Sequence, residues 1–384
     1  MAKKRPAPSR DDVPHHLLTR HARIRVALQH NRLDGILLTT SADLAYVTGH
    51  AWEDTFGVLT HDRLTLVSDF RYQTQLAELS GWATRVIRPT KQSMSEAVAD
   101  VVIASKAKRL GFEANHLSFA ETRRLQAILK VRTRRVPPAK LVPLEGFMVD
   151  ERKVKDALEI AAIRRAIEAA EGAYLAVRPE LKAGLSENEI AGRLEYDMRR
   201  RGASAGSFET NVSIGPASAL PHYRPGDTRL RGDEALLFDW GARVDNYCSD
   251  ITRTHFFGSP PAKLREVYNI VLHAQQSAIA AIRPGATTRK VDAAARDIIR
   301  KAGYAKDFGH GLGHGIGLVV HELPRLSPAA ADLPLLPGMV VTVEPGIYLA
   351  GVGGVRIEDD VLVTEHGCEV LTSLDKSYEG ACLE

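Results

Sequence analysis

Two stretches of this chain read alike, and together they limit its fold more than any other feature: Gly232-Asp-Glu-Ala-Leu-Leu-Phe-Asp239-Trp-Gly241 and Gly338-Met-Val-Val-Thr-Val-Glu344-Pro-Gly346. Each runs glycine, apolar strand, carboxylate, one residue, glycine. Each is then followed by a second carboxylate on a hydrophobic strand, Asp250 eleven residues after Asp239 and Glu358 fourteen after Glu344. A carboxylate at the inner end of an apolar strand is costly to bury unless it is paired or bound to a cation. Hairpins that set Asp239 beside Asp250 and Glu344 beside Glu358 make an oxygen-rich cage whose four negative charges could hold two divalent ions. The alternative, acids that cap strands or pair with Arg253 and Arg356, accounts for one hairpin but not for its repetition.

The helices repeat as well. Ile160, Ile163, Ile167, Ala170, Tyr174 and Val177 recur at spacings of three and four before Pro179, which predicts a helix over Val154–Val177 and a domain boundary near Asp150. Ser186-Glu-Asn-Glu189 is a capping box opening a second helix through Ile190, Leu194 and Met198. Leu264 to Ala278 gives a third stripe, and Val291, Ala295 and Ile298 a fourth. Helix pair, strands, helix pair, strands is the order of a duplicated α+β half with helices on one side of an antiparallel sheet. Residues 14–150 differ: a helix through Ile24, Val26 and Leu28, then apolar strands at Gly35–Thr40, Val58–Thr60 and Leu64–Ser68, predict a smaller α/β domain. It offers Asp69, Arg71 and Tyr72 but no spaced set of ligands, so it covers or shapes a site made elsewhere.

Composition removes several classes. The net charge is +4, yet the first 25 residues hold seven Lys and Arg against two Asp, so the rest of the chain is near neutral and carries no nucleic-acid surface. Residues 1–13 read as a flexible basic tail that lacks the apolar core of a secretory signal. No run of 18 apolar residues exists, so no membrane partner is expected. Cys248, Cys368 and Cys382 are odd in number without CxxC spacing, which predicts a cytoplasmic protein.

A nitrogen ligand for the cage is expected from Gly309-His-Gly-Leu-Gly-His-Gly-Ile-Gly317, where alternation puts His310 and His314 on one face and lets the backbone press close to a neighbour. His321 follows. Nucleotide loops of the GxGxxG or GxxxxGK[ST] type are absent, and His321-Glu-Leu-Pro-Arg325 is not an HExxH helix. Gly202-Ala-Ser204-Ala-Gly206 matches a nucleophile elbow, but it follows a helix where that device needs a strand.

These residues carry a resemblance. Pro221-His222-Tyr, Asp239-Trp-Gly, Tyr247-Cys-Ser-Asp-Ile-Thr-Arg-Thr254, the glycine-histidine run through His321-Glu322, Val343-Glu-Pro-Gly-Ile-Tyr348 and Val355-Arg-Ile-Glu-Asp359 together resemble the Xaa-Pro peptidase branch (aminopeptidase P and prolidase) of the pita-bread M24 metallopeptidases. Tyr46-Val-Thr-Gly49 and Asp69-Phe-Arg-Tyr72 resemble, more weakly, its creatinase-type N-terminal domain. The resemblance implies an α+β pita-bread catalytic domain over 151–384 with an internal pseudo-duplication, preceded by the smaller α/β domain. It implies metal ligands Asp239, Asp250, His314, Glu344 and Glu358, holding two divalent ions per subunit, Mn²⁺ foremost with Co²⁺ or Zn²⁺ as alternatives. It also implies His222 and His321 as catalytic histidines, and His310 and Tyr348 as pocket walls. Arg356, two residues before Glu358, could pair with Asp69 or hold a substrate carboxylate. The expected reaction is hydrolysis of the Xaa-Pro bond at the N-terminus of a proline-containing peptide by a hydroxide bridging two ions, with Glu344 moving the proton. Xaa-Pro dipeptidase action is the alternative, followed by hydrolysis of a non-peptide C–N bond or a non-catalytic binding role. A homodimer is the expected assembly.

Overall fold

The computed structural model describes residues 14–79, 81–133, 137–259 and 261–383. The tail expected over residues 1–13 lies outside them. The chain divides into two compact units, Met1–Glu151 and Arg152–Glu384.

The first unit is built on a six-stranded mixed sheet in the spatial order Ala83–Ile87, Leu64–Ser68, Phe56–Thr60, Gly35–Leu38, Arg109–Glu113, Lys140–Leu144. The three central strands pair antiparallel and the flanking pairs are parallel. All four residues of Gly35–Leu38 are buried, as befits a strand covered on both faces. Helices Met94–Ser105 and Phe119–Arg132 each open on a complete capping box, Ser93 with Glu96 and Ser118 with Glu121. In the helix His15–His30, Ile24 and Leu28 are buried but Val26 is 52% exposed. A position two residues from each neighbour falls on the opposite face of a 3.6-residue turn, so the apolar stripe excludes it.

His21 occupies that buried face instead, with Nε2 2.7 Å from Val47 O. Burial holds its pKa down to about 4 from 6.5. The unfolded chain therefore binds a proton first as pH falls, so this stability is complete above pH 6.5 and is lost towards pH 4. The shift corresponds to about 3 kcal/mol. Urea midpoints of the first unit at pH 7.5 and pH 5 should differ by more in the wild type than in His21→Gln; equal slopes would refute the assignment.

The second unit carries two helix pairs and, among its described residues, two larger sheets that are mainly antiparallel beside two smaller ones. Helix Ala157–Val177 starts at a capping box of Asp156 and Glu159, three residues later than the apolar pattern alone suggests, and packs with Glu187–Arg200. Ala262–Ala281 packs with Thr288–Lys301. In Thr288–Lys301 Ile299 rather than Ile298 joins Val291 and Ala295 in the core, because the buried stripe also takes in Thr288 and Asp292 and is centred nearer Ile299 than Val291 alone would place it. One sheet runs Asn211–Ile214, Glu234–Trp240, Ile251–Phe257, with Cys382–Leu383 added in parallel at its far edge. The other runs Glu322–Leu326, Gly313–Gly315, Val340–Val343, Asp359–Val363, Cys368–Val370. A single bridge, Thr252 to Glu358, ties the first sheet to the start of the strand at Asp359. This is the duplicated α+β arrangement.

Trp240 turns away from the acids beside it. Fully buried, it donates from Nε1 to Ala170 O at 3.0 Å and stacks on Tyr174 at 5.2 Å. Among the described residues no helix is long and apolar enough to cross a membrane.

Candidate metal centre

The two hairpins form as their spacing demands. Asp239 stands opposite Thr252 in the pairing of Glu234–Trp240 with Ile251–Phe257, so Asp250 lies at the adjoining strand start. Val343 stands opposite Asp359, which sets Glu344 and Glu358 at the same end of the second ladder. Thr252 joins the pairs, donating from Oγ1 to Glu358 Oε2 at 2.6 Å, and Asp250 N donates to Asp360 Oδ2 at 3.1 Å.

His314 arrives on Gly313–Gly315, and the glycines around it are a steric requirement. A Cβ on Gly313 would lie 2.0 Å from Thr342 O, and one on Gly315 2.1 Å from Leu323 O. The strand thus lies against both neighbours at a spacing only glycine permits. His314 Nδ1 sits 3.1 Å from Gly315 O. A proton on Nδ1 satisfies that carbonyl and leaves the Nε2 lone pair, 3.4 Å from Glu344 Oε1 and 3.6 Å from Asp250 Oδ2, facing the acids. Burial lowers the His314 pKa to about 3, so the ring is neutral and able to ligate.

Ligand atoms of Asp250, His314 and Glu358 all lie within 4.8 Å of one another. Asp239 and Glu344 line the same cavity of about 910 Å³, as do His222, His310, His321, Tyr348 and Arg356. The cavity thus gathers Arg356 and every site residue that the family resemblance implies. Burial, then repulsion from Glu358, Asp239 and Glu344, raises Asp250 well above the usual carboxylate range. Burial and Glu358 do the same to Glu344, while burial and Asp239 lift Glu358 to about 7. Such a group of acids gathers protons unless cations replace them, and four carboxylates with one neutral imidazole form a donor set suited to divalent ions.

Arg356 is 3% exposed, and each guanidinium nitrogen is engaged: Nε with Thr252 Oγ1 at 3.0 Å, Nη1 with Tyr348 OH at 3.1 Å, Nη2 with Asp239 Oδ2 at 2.5 Å. The carboxylate of Asp69, the other partner expected for it, is held within the first unit by Arg71 and Arg88. A polar chain continues from Tyr348 OH to His310 Nε2 at 2.9 Å, with His310 Nδ1 2.7 Å from Gly311 O. Arg253, the other arginine considered for these acids, pairs with Asp359 instead.

The two remaining histidines sit on loops pinned by buried acids. The His321 ring lies 4.3 Å from that of His314, edge to face. Its neighbour Glu322 accepts from Val319 N and pairs with Arg152 and Lys155. His222 lies on a loop held by Glu187, fully buried, which accepts from Ile214 N, Tyr223 OH and Gly226 N at 2.8–2.9 Å.

Three lining or supporting residues escape the sequence reading. Glu187 hides inside the capping box, where it passes for a helix-start residue. Asn211 stands opposite Asp239 in the ladder, is 4% exposed and leaves Oδ1 without a partner among the described residues. Arg325, opposite His314 across the ladder, belongs to the run set aside as a failed HExxH. Ser204 is exposed and donates to Arg243 O, away from the cavity-lining set.

A cage of acids with one neutral imidazole, shared between the halves of a duplicated α+β frame, defines a metal-dependent hydrolase. The chain belongs to metallopeptidase family M24: residues 161–365 match that family, and residues 20–154 match the Creatinase/Prolidase N-terminal domain. It is 38% identical over 344 residues to the uncharacterized peptidase YqhT of Bacillus subtilis, covering 90% of this chain and 95% of that one. Its structure is similar to an Xaa-Pro dipeptidase from Bacillus anthracis, with TM-score 0.89, 36% identity and coverage of 96% of this chain and 100% of the other. An X-Pro aminopeptidase from Thermotoga maritima superposes with TM-score 0.83 and 35% identity over 93% of this chain and 99% of the other. The chain is therefore a peptidase of the Xaa-Pro branch, and its family implies divalent metal ions.

Proposed function

We propose that this protein is an Xaa-Pro aminopeptidase, releasing the first residue of peptides whose second residue is proline. The observation that carries the choice is Arg356: with all three nitrogens engaged on Thr252, Tyr348 and Asp239, it is not available to clamp a substrate's C-terminal carboxylate. A longer peptide can then run past it, and the cavity of about 910 Å³ has room for more than two residues.

Asp239, Asp250, His314, Glu344 and Glu358 would hold two divalent ions per subunit, Mn²⁺ first, with Co²⁺ or Zn²⁺ able to serve. Bound there, the ions supply an acidified water and a polarised scissile carbonyl. Glu344 takes the proton from the attacking water and delivers it to the leaving imide nitrogen, which has no hydrogen of its own. His222 and His321 donate to the oxygen of the carbonyl as charge develops, a contribution of roughly 3 kcal/mol for a fixed donor in a dry site. His310 and Tyr348, locked to each other, form the rigid wall against which the proline ring is read by shape. Free Cys248, Cys368 and Cys382 agree with a cytoplasmic setting, and the expected homodimer completes the reading.

Arg325 favours a second reading, Xaa-Pro dipeptidase. It lines the cavity and its side chain makes no hydrogen bond or ion pair among the described residues, so it could receive a dipeptide's carboxylate. Comparing kcat/KM for an Xaa-Pro dipeptide with that for the same sequence extended by two residues separates the readings. We expect the extended peptide to be cut at least as well. A preference of tenfold for the dipeptide, about 1.4 kcal/mol, abolished in Arg325→Leu, would establish the second reading instead.

A further inference from the structure

The residues after the family match, which ends at 365, form a strap that runs back behind the acid cage. Leu371 N donates to Asp360 O at 2.8 Å. Glu171 accepts from Ser373 N, Ser373 Oγ and Leu374 N. Arg178 donates to Gly380 O at 2.9 Å, the Tyr378 ring packs on Phe256 and Tyr268, and Cys382 pairs with Phe256 as an added strand. Between these anchors the strap meets Asp359, the residue after Glu358. Successive side chains of a strand face opposite ways, so as Glu358 enters the cage, Asp359 points to the strap. Asp359 Oδ1 receives Thr372 Oγ1 and Arg253 Nη2, both at 2.7 Å, and Oδ2 receives Gln275 Nε2 at 2.6 Å together with Lys376 Nζ. Arg253, 1% exposed, spans the network and the cage: Nη2 also reaches Leu374 O at 3.0 Å, and Nη1 donates to the carbonyls of Glu358 at 2.5 Å and Thr252 at 2.9 Å.

Two cations therefore share one buried carboxylate, and of the two it is Arg253 that hydrogen-bonds the backbone of Glu358. Lys376 holds Asp359 from the strap side, and Asp359 holds Arg253 where it fixes Glu358 and Thr252, the residue whose hydroxyl also orients the Glu358 carboxylate. We propose that segment Leu371–Leu383 is a positioning strap for Glu358, with Lys376, Asp359 and Arg253 as positioning residues that set the divalent-cation affinity of the cage from outside it. The inference rests on the reading of the cage as a metal site.

The test is Mn²⁺ titration of the full-length protein, following free Mn²⁺ by electron paramagnetic resonance without any peptide present. Lys376→Met keeps the aliphatic stem and removes the charge. We expect its Mn²⁺ dissociation constant to rise about 10- to 100-fold, with the melting temperature of the metal-free protein within about 3 °C of wild type. Lys376→Arg should stay close to wild type. A rise of less than threefold in Lys376→Met overturns the proposal, and so does a Lys376→Arg variant as weak as Lys376→Met. Should Lys376→Met fail to fold, Thr372→Val, which removes one hydrogen bond to Asp359, is held to the same threefold criterion. A wild-type protein that binds no Mn²⁺ would defeat the cage reading itself, whereas tight wild-type binding matched by the variant defeats only the strap.

Discussion

Replacing Glu344 by alanine is expected to lower kcat/KM on an Xaa-Pro peptide by on the order of 10³ or more, equivalent to about 4 kcal/mol of transition-state stabilisation, while the protein stays folded. The residue sits where strand Val340–Val343 ends, its amide donating to Leu312 O at 2.8 Å, with its carboxylate oxygen 3.4 Å from His314 Nε2. That places one acid both at the edge of the cage and in the open cavity, as a proton carrier requires. Ser204→Ala is the matched control. Its hydroxyl is exposed and bonded to a backbone carbonyl, so turnover should stay close to normal. A folded Ser204→Ala variant without activity, or a Glu344→Ala variant keeping a tenth of wild-type turnover, would break the assignment.

Removal of divalent ions by a chelator should take activity to background, and Mn²⁺ or Co²⁺ should restore it, because the proposed nucleophile is a water acidified by those ions. Metal analysis after Mn²⁺ loading should reach two ions per subunit; saturation at one would count against the paired-ion reading. The affinity should depend on pH in a defined direction. Burial, with repulsion between neighbouring acids at Asp250, Glu344 and Glu358, raises the cage acids, Glu358 to about 7, and each must lose its proton to ligate. Mn²⁺ binding should therefore strengthen from pH 6 to pH 8 and release protons as it does so. Isothermal titration in two buffers of different ionisation enthalpy measures that release, and an affinity independent of pH over this range would show that the acids are already ionised.

The hairpins were legible because strand alternation and turn glycines act locally: seven apolar-rich residues ending in an acid can bury one face in only one register. The same holds for Ser186 with Glu189, whose reciprocal hydrogen bonds form just as the motif requires. What escaped was the choice of partner across long separations. By charge alone Arg356 could meet Asp69 or a substrate carboxylate, whereas its Nη2 meets Asp239, 117 positions away, because both lie at strand ends brought together by the bridge between the halves. Glu187 and Asn211 show the same limit. Their importance comes from the loop or the acid that faces them, and nothing within a few residues of either reveals it. The tail beyond Leu374, which matches no motif, folds into the network around Asp359 for the same reason.

The bridge between the halves also bears on how the protein is made. Thr252 and the Glu358 carboxylate it holds are 106 residues apart in the chain. At translation rates of about 5–20 residues per second, on the order of 5–20 s pass between synthesis of the first acid pair and arrival of the last ligand. His314 is made partway through that interval and Glu358 at its end, so until then the nascent chain offers only an incomplete cage. Binding by the full ligand set in this way waits for the second half of the duplication, so both halves together, not the first alone, decide which ion is kept.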